Sequence, residues 1–275
     1  MKIRLFTLLS LLAATTPGHA TSIDLTTGLS YHQNFDSLAN TGTNVAWVNG
    51  STLDGWSLFT AAGTPITTYN ANDGSSNTGS FYSYGDPTTD RALGGLGSGA
   101  AYFGSPASGA TAGYIAVSFT NFSAVAWDSF TTSWNGEEWR NGGNTSAQTM
   151  VFQYGVGSTF SSVASWITPG GSFNWTSPVT GATAAPVDGN VAGLVTGVGG
   201  TVTGLTLNPG DTLWLRSVET NDVGNDHGLA IDNFSFSDSD SAPTPEGGST
   251  FVMLGLSLCG LVTMGRKASR RNAVI

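Results

Sequence analysis

With 38 glycines in 275 residues, this chain is barred from being built of long helices, because each glycine in a helix interior costs about 1 kcal/mol relative to alanine. The period it does carry is that of strands. Tyr114–Phe119, Met150–Tyr154, Thr201–Leu207, Thr212–Val218 and Leu229–Phe236 alternate in polarity and are rich in β-branched and aromatic residues, with Gly, Asn, Asp and Pro between them. No stretch between residues 21 and 236 keeps an apolar 3.6-residue period for three turns. This predicts an all-β body over residues 21–236, a single antiparallel β-sandwich of jelly-roll type. The lack of a 20–50-residue repeat sets aside propellers and solenoids. Asn208-Pro209-Gly210-Asp211 has proline and glycine where a tight turn needs them, which predicts a hairpin between the strands on either side. The glycine- and serine-rich stretches Gly74–Gly79 and Gly94–Gly109 read as loops, the places where binding residues concentrate. Residues 237–244 are polar and without period, a linker.

Both ends carry a different signature. Residues 1–20 place Lys2 and Arg4 before an apolar run from Leu5 to Ala14 and a small-residue end at Ala20, the order of a secretory signal peptide and its helix. At the other end, Pro245, Glu246, Gly247, Gly248, Ser249 and Thr250 form an extended, accessible segment. An apolar run follows, predicted as a transmembrane helix at about residues 251–265, and then Arg266, Lys267, Arg270 and Arg271. Basic flanks resist translocation, so the helix is expected to keep its C-terminus in the cytoplasm and the body outside the inner membrane.

The charge pattern supports that address. Of 9 basic residues against 18 acidic ones, Arg91, Arg140 and Arg216 alone lie between residues 21 and 244. So acidic a surface repels phosphate, which sets aside nucleic-acid partners. Charged residues make up 10% of the chain, against about 25% in an ordinary domain, so solubility rests on Ser, Thr, Asn and Gly. The single cysteine, Cys259, lies in the apolar tail. The body therefore has neither a disulfide nor a thiolate metal site, and packing must hold it together.

The order of motif, helix and basic cluster over residues 245–271 resembles the PEP-CTERM sorting signal of exported bacterial proteins, the type of module that also ends some ice-binding proteins. Gly247 stands where that pattern usually has a second proline. The resemblance implies an exosortase as processing partner, transient or permanent contact with the inner membrane, and delivery to the cell surface or extracellular matrix, where exopolysaccharide is a further partner. The body adds Asn34-Phe-Asp-Ser-Leu38 and Asp54-Gly-Trp56 near its start and His227-Gly-Leu-Ala-Ile-Asp-Asn-Phe-Ser-Phe236 at its end. Together these are similar to concanavalin-like and MAM-like jelly rolls. Asp90-Arg-Ala-Leu-Gly94 and Gly136-Glu-Glu-Trp-Arg140 look like recurrent elements of exported PEP-CTERM proteins with such a body. In jelly rolls of this kind acids of the first and last strands share a structural calcium, which implies Asp36 and Asp232 as ligands here.

Read from the residues alone, the chemistry stays open between binding and plain structure. Asp222, Asn225, Asp226 and Asp232 are oxygen donors of the kind calcium takes, without the spacing of an EF-hand; the alternative is that these acids, with Asp36, accept backbone N–H bonds at turns. Zinc would have only His32 and His227. Glu137 and Glu138 are adjacent and point to opposite faces of a strand, so a glycosidase pair is a weaker reading than an ion-pair network with Arg140, joined by Arg91 or Arg216. No nucleophile elbow or phosphate-binding loop stands in the required context, and no catalytic residue is assigned. Trp166 and Trp175 flank a Pro-Gly-Gly loop and are the candidates for an exposed pair contacting glycan. Trp214 would be exposed only if its sheet face is solvated. The expected role is that of an exported structural or interaction protein and not an enzyme; the alternative is an extracellular carbohydrate-binding module, with hydrolase activity ranked below it.

Overall fold

The computed structural model describes residues 22–26, 30–86 and 90–238. The signal peptide, the sorting motif, the transmembrane segment and the basic anchor lie outside those residues. Among the described residues no helix is long and apolar enough to cross a membrane.

The described residues form 15 strands: β1 (Ile23–Leu25), β2 (Ser30–Gln33), β3 (Val45–Ala46), β4 (Trp56–Thr60), β5 (Thr68–Asn72), β6 (Ser80–Tyr84), β7 (Ala92–Leu96), β8 (Ala110–Asn121), β9 (Trp127–Asn141), β10 (Thr149–Val156), β11 (Trp175–Thr176), β12 (Ala185–Pro186), β13 (Leu194–Leu207), β14 (Thr212–Asn221) and β15 (Gly228–Asp238). They make two sheets. The six-stranded sheet runs β1-β8-β14-β10-β11 with β4 also on β8; the nine-stranded sheet runs β12-β9-β15-β7-β6-β5-β3, with β13 on β9 and β2 on β15. The long strands change sheet at each step from β8 to β10 and again from β13 to β15. The body is thus all-β and two-layered, as the alternation predicts.

Three expectations need correction. The pairing is not wholly antiparallel, since β1 runs parallel to β8 and β5 parallel to β6. The turn at Asn208–Asp211 forms, with Gly210 at φ 87° and the Asp211 N–H donating to the Asn208 carbonyl at 3.0 Å, but it is not a hairpin. β13 pairs with β9 in one sheet and β14 with β8 and β10 in the other, so the turn carries the chain across the sandwich. The loop expected from Gly94 begins later, because Gly94 and Gly95 lie in β7; a side chain on Gly94 would meet β15 backbone at 2.2 Å. β15, the last described strand, runs to Asp238.

One apolar core joins the sheets. Phe119 of β8 stacks on Phe236 of β15 at 3.9 Å, Trp56 of β4 meets Phe234 at 5.1 Å, and Trp134 of β9 meets Phe152 of β10 at 5.0 Å. Aromatic pairs at these separations add about 0.5–1.5 kcal/mol each beyond the burial of their area, and without disulfides this packing is what fixes the two layers. It also sets which side chains are left on the outer face of the nine-stranded sheet, where the acids gather.

Candidate metal centre

In β9, Trp134 points into the core, so Glu137 points out of it, and alternation puts Trp139 beside Glu137 on the same outer face. The Trp139 indole N–H donates to Glu137 Oε2 at 2.9 Å. Glu137 is paired with Ala230 of β15, and Asp232, two residues further along, stands diagonally across from it. Directly after Asp232 the β9–β15 register slips, and Asn233 takes φ 50°. Bulges of this kind re-aim the neighbouring side chain; here the Asn233 side-chain amide donates to Asp232 Oδ2 at 2.7 Å and holds the carboxyl in place. Asp90, two residues before β7 on the other flank of β15, supplies the third carboxyl. One oxygen from each of Asp90, Glu137 and Asp232 lies within 4.8 Å of the others.

Glu137 and Asp232 are each 1% exposed. Their remaining oxygens, Glu137 Oε1 and Asp232 Oδ1, are buried without a hydrogen-bond partner. Among the described residues no basic side chain makes a salt bridge to the group; the ion pair that forms is His227 Nδ1 to Glu138 Oε1 at 3.2 Å. Like charges about 4 Å apart repel by about 4 kcal/mol at an effective dielectric of about 20, so three ionised carboxylates cannot persist here alone. They must hold protons or a cation. Burial, aided by Asp90 and Asp188, pushes the Glu137 carboxyl up to about 7. Burial, aided by Glu137, Asp90 and Asp36, pushes Asp232 up to about 8, so Asp232 keeps its proton longest.

The donor set is all oxygen and anionic, the set hard divalent cations of the calcium class take, with carbonyls or water completing the six to eight ligands. The two orphaned oxygens, Glu137 Oε1 and Asp232 Oδ1, have no protein partner among the described residues and are available to such an ion. A sugar is a poorer fit. In a glycosidase a pyranose must enter between the two carboxyls, whereas here Glu137 and Asp232 are buried and the segment from Val187 to Gly193 packs over the neighbouring Trp139, a side chain on Gly189 meeting the indole at 2.4 Å.

The sequence-derived site is therefore redrawn. Asp232 is in it, but its partners are Asp90 and Glu137. Asp36 sits on an exposed turn after β2, where it accepts the Arg91 backbone N–H at 3.0 Å and the Asn34 side-chain amide at 2.6 Å, and acts on Asp232 as a nearby charge. Asp222 and Asp226 belong to another part of the molecule, where the Asp222 N–H donates to Asp226 Oδ1 at 2.6 Å. Asp90 and Glu137 each lie in a motif that the sequence singled out, Asp90–Gly94 and Gly136–Arg140; what the sequence lacked was the sheet order that brings them to Asp232. The expected arginine–glutamate network does not form. Glu138 points into the sandwich end and holds His227 and the Val179 N–H, while Arg140 donates to the carbonyls of Gly74 and Ser75 at 2.9 and 3.2 Å. Arg91 bonds Ser83 and the Asp86 carbonyl.

The proposed tryptophan pair is also separated. Trp175 is 3% exposed and lies on Gly136 in the core. Trp166 is half-buried on the outer face of the six-stranded sheet, where the Arg216 guanidinium lies 3.8 Å from its ring centre and 3.9 Å from that of Tyr114. Trp214 does point to that face, but Phe59 and Phe160 cover it.

No family model matches the chain, and no curated protein matches it. Among solved structures the chain is similar to the CBM22-1 xylan-binding domain of Paenibacillus barcinonensis Xyn10C, with a TM-score of 0.38 and 9% identity over 79% of this chain and 99% of that one.

The raised carboxyls fix a pH dependence. Glu137 at about 7, Asp226 at about 7 and Asp232 at about 8 all lie above the roughly 4 of an unfolded carboxyl. Between about pH 4 and pH 8 the folded state therefore binds more protons than the unfolded one, and stability falls as pH rises. His227 adds in the same sense: burial works against its charge, but Glu138 and the Ser146 carbonyl outweigh it and hold its pKa above the ordinary value, so its contribution is also lost on going alkaline. In chelator, the melting temperature is expected to drop steadily from pH 5 to pH 8.5, and Asp232→Asn to flatten the drop. A melting temperature that rises over that range would contradict the assignment.

Proposed function

We propose that this chain is an exported, non-catalytic interaction protein whose sandwich, of jelly-roll type, is braced by a divalent cation of the calcium class at Asp90, Glu137 and Asp232. The observation that carries the reading is the group of three close carboxyls, two of them buried, with two orphaned oxygens and no cationic partner among the described residues. Its ligands come from β9, β15 and the approach to β7, so an ion there ties three neighbouring strands of one sheet together. A ligand that binds only the folded state stabilises it by RT ln(1 + [L]/Kd), about 2.7 kcal/mol at a hundredfold excess over Kd. Melting at pH 8 is expected to rise on adding calcium and fall on adding chelator, with Asp232→Asn insensitive to both. Superimposable curves for the native chain in calcium and chelator would remove the brace.

The same proposal includes the address. The sequence of residues 245–271 supports processing by an exosortase, with the body held outside the inner membrane and passed on to the surface or matrix. Deleting residues 245–271 is expected to leave the body unprocessed in the periplasm or medium, measured by fractionation. Equal surface retention of truncated and full chains would remove this part.

One observation favours a second reading, glycan contact through the outer face of the six-stranded sheet. There the Tyr114, Arg216 and Trp166 side chains form a stacked strip, with Arg216 Nε and Nη2 donating to Gln153 Oε1 at 2.8 and 2.6 Å. Beside it lies a groove of about 580 Å³ bordered by Trp47, Phe59, Phe160 and Trp214, with Ser158, Thr159 and Ser161 on its rim. Flat apolar rings beside hydroxyl and guanidinium donors suit a pyranose. Retention on polysaccharide gels is expected to fall severalfold for Trp166→Ala; unchanged retention would set this face aside.

A further inference from the structure

Arg140 is 8% exposed, yet no carboxylate of the described residues comes within 4.0 Å of it. One guanidinium nitrogen, Nη1, is fixed by the carbonyls of Gly74 and Ser75. Among the described residues no hydrogen bond holds Nε or Nη2, and Arg140 borders a cavity of about 290 Å³ lined also by Asn77, Ser98, Asn225 and Asp226 together with Gly97, Gly142 and Gly224; Leu96 and Ala184 are its apolar neighbours. A buried guanidinium without a counter-charge is costly, and in so acidic a chain its isolation is all the more notable. The orphaned fork is the arrangement that binds a carboxylate through two parallel hydrogen bonds.

We propose that this cavity at the end of the sandwich binds a hexuronate, with the sugar carboxylate on Arg140 Nε and Nη2 and the ring hydroxyls on Ser98, Asn77 and Asp226. The volume is at the lower end for ligand sites, about one sugar ring and not a chain. The remaining lining is hydroxyl, amide and carboxyl, which suits a ligand with several hydroxyls and not an apolar acid. Ser98 Oγ accepts the Ala100 N–H at 3.2 Å, which leaves its own hydroxyl hydrogen to donate. Asp226 spends one oxygen on the Asp222 N–H, and burial keeps its carboxyl largely protonated below about pH 7, so it does not repel the ligand's charge. Gly74 of the loop that orients Arg140 cannot be replaced, since a side chain there would meet the Trp139 carbonyl at 1.8 Å; the clamp on Nη1 is thus built into the fold.

The site stands apart from both the cation brace and the Trp166 face, and its test separates them. Titration calorimetry of the full chain at pH 6 in chelator, with D-glucuronate, D-glucose and acetate as probes, is expected to show one saturable uronate site at millimolar or lower concentration. Glucose and acetate are expected to bind at least about tenfold more weakly. Arg140→Gln is expected to abolish uronate binding. Because Arg140 also holds the 74–75 loop, Ser98→Ala provides the second variant: it leaves that clamp intact and is expected to weaken uronate severalfold. A parallel titration with polygalacturonate separates a free or terminal uronate, bound as monomer, from an internal residue, bound only as polymer. No saturation by either uronate, equal affinity for glucose, or full affinity in both Arg140→Gln and Ser98→Ala would overturn the assignment.

Discussion

The feature on which the rest of the structure depends is carboxyl charge buried without an equal supply of cations. Glu137, Glu138, Glu219 and Asp232 are all inside the protein, and the chain has three arginines and no lysine between residues 21 and 244 with which to neutralise them. Taking a carboxylate out of water costs several kcal/mol unless it is paired. The molecule meets that cost in different ways at different places. Glu138 shares His227 and a backbone N–H. Glu219 is buried, and that burial, aided by Asp226 and Asp222 nearby, pushes its carboxyl well above the ordinary value, toward the neutral form. At Asp90, Glu137 and Asp232 neither remedy is complete, and that shortfall is the opening for a cation.

The arginines are where a charge count would not place them. Each could have quenched an acid, but Arg91 and Arg140 bond mainly to carbonyl oxygens and Arg216 lies between two aromatic rings beside Gln153. Guanidinium is weakly hydrated and planar, so carbonyl cages and ring faces suit it. These positions tie loops to strands: Arg140 fixes the 74–75 loop to β9, and Arg216 holds Trp166 onto the six-stranded sheet. The consequence is a body with both kinds of charge buried but kept apart, which leaves an acidic group open to cations and a guanidinium open to an anion.

The sequence by itself determined the all-β class and most of the long strands, because alternation with period two and glycine abundance act locally and survive any arrangement of the sheets. It also determined that Glu137 and Glu138 part company, since adjacent strand residues cannot share a face. It marked Asp232 and the two motifs holding Asp90 and Glu137. Tertiary structure alone decided the rest. Whether β13 and β14 make a hairpin depends on which sheet each joins, and the turn between them permits either. Whether Trp175 is a contact residue or core depends on Gly136, which lies 39 residues earlier and leaves room for its ring. The meeting of Asp90, Glu137 and Asp232 follows from the order β9-β15-β7 and a bulge at Asn233, and no local pattern encodes strand order because pairing joins segments separated by scores of residues.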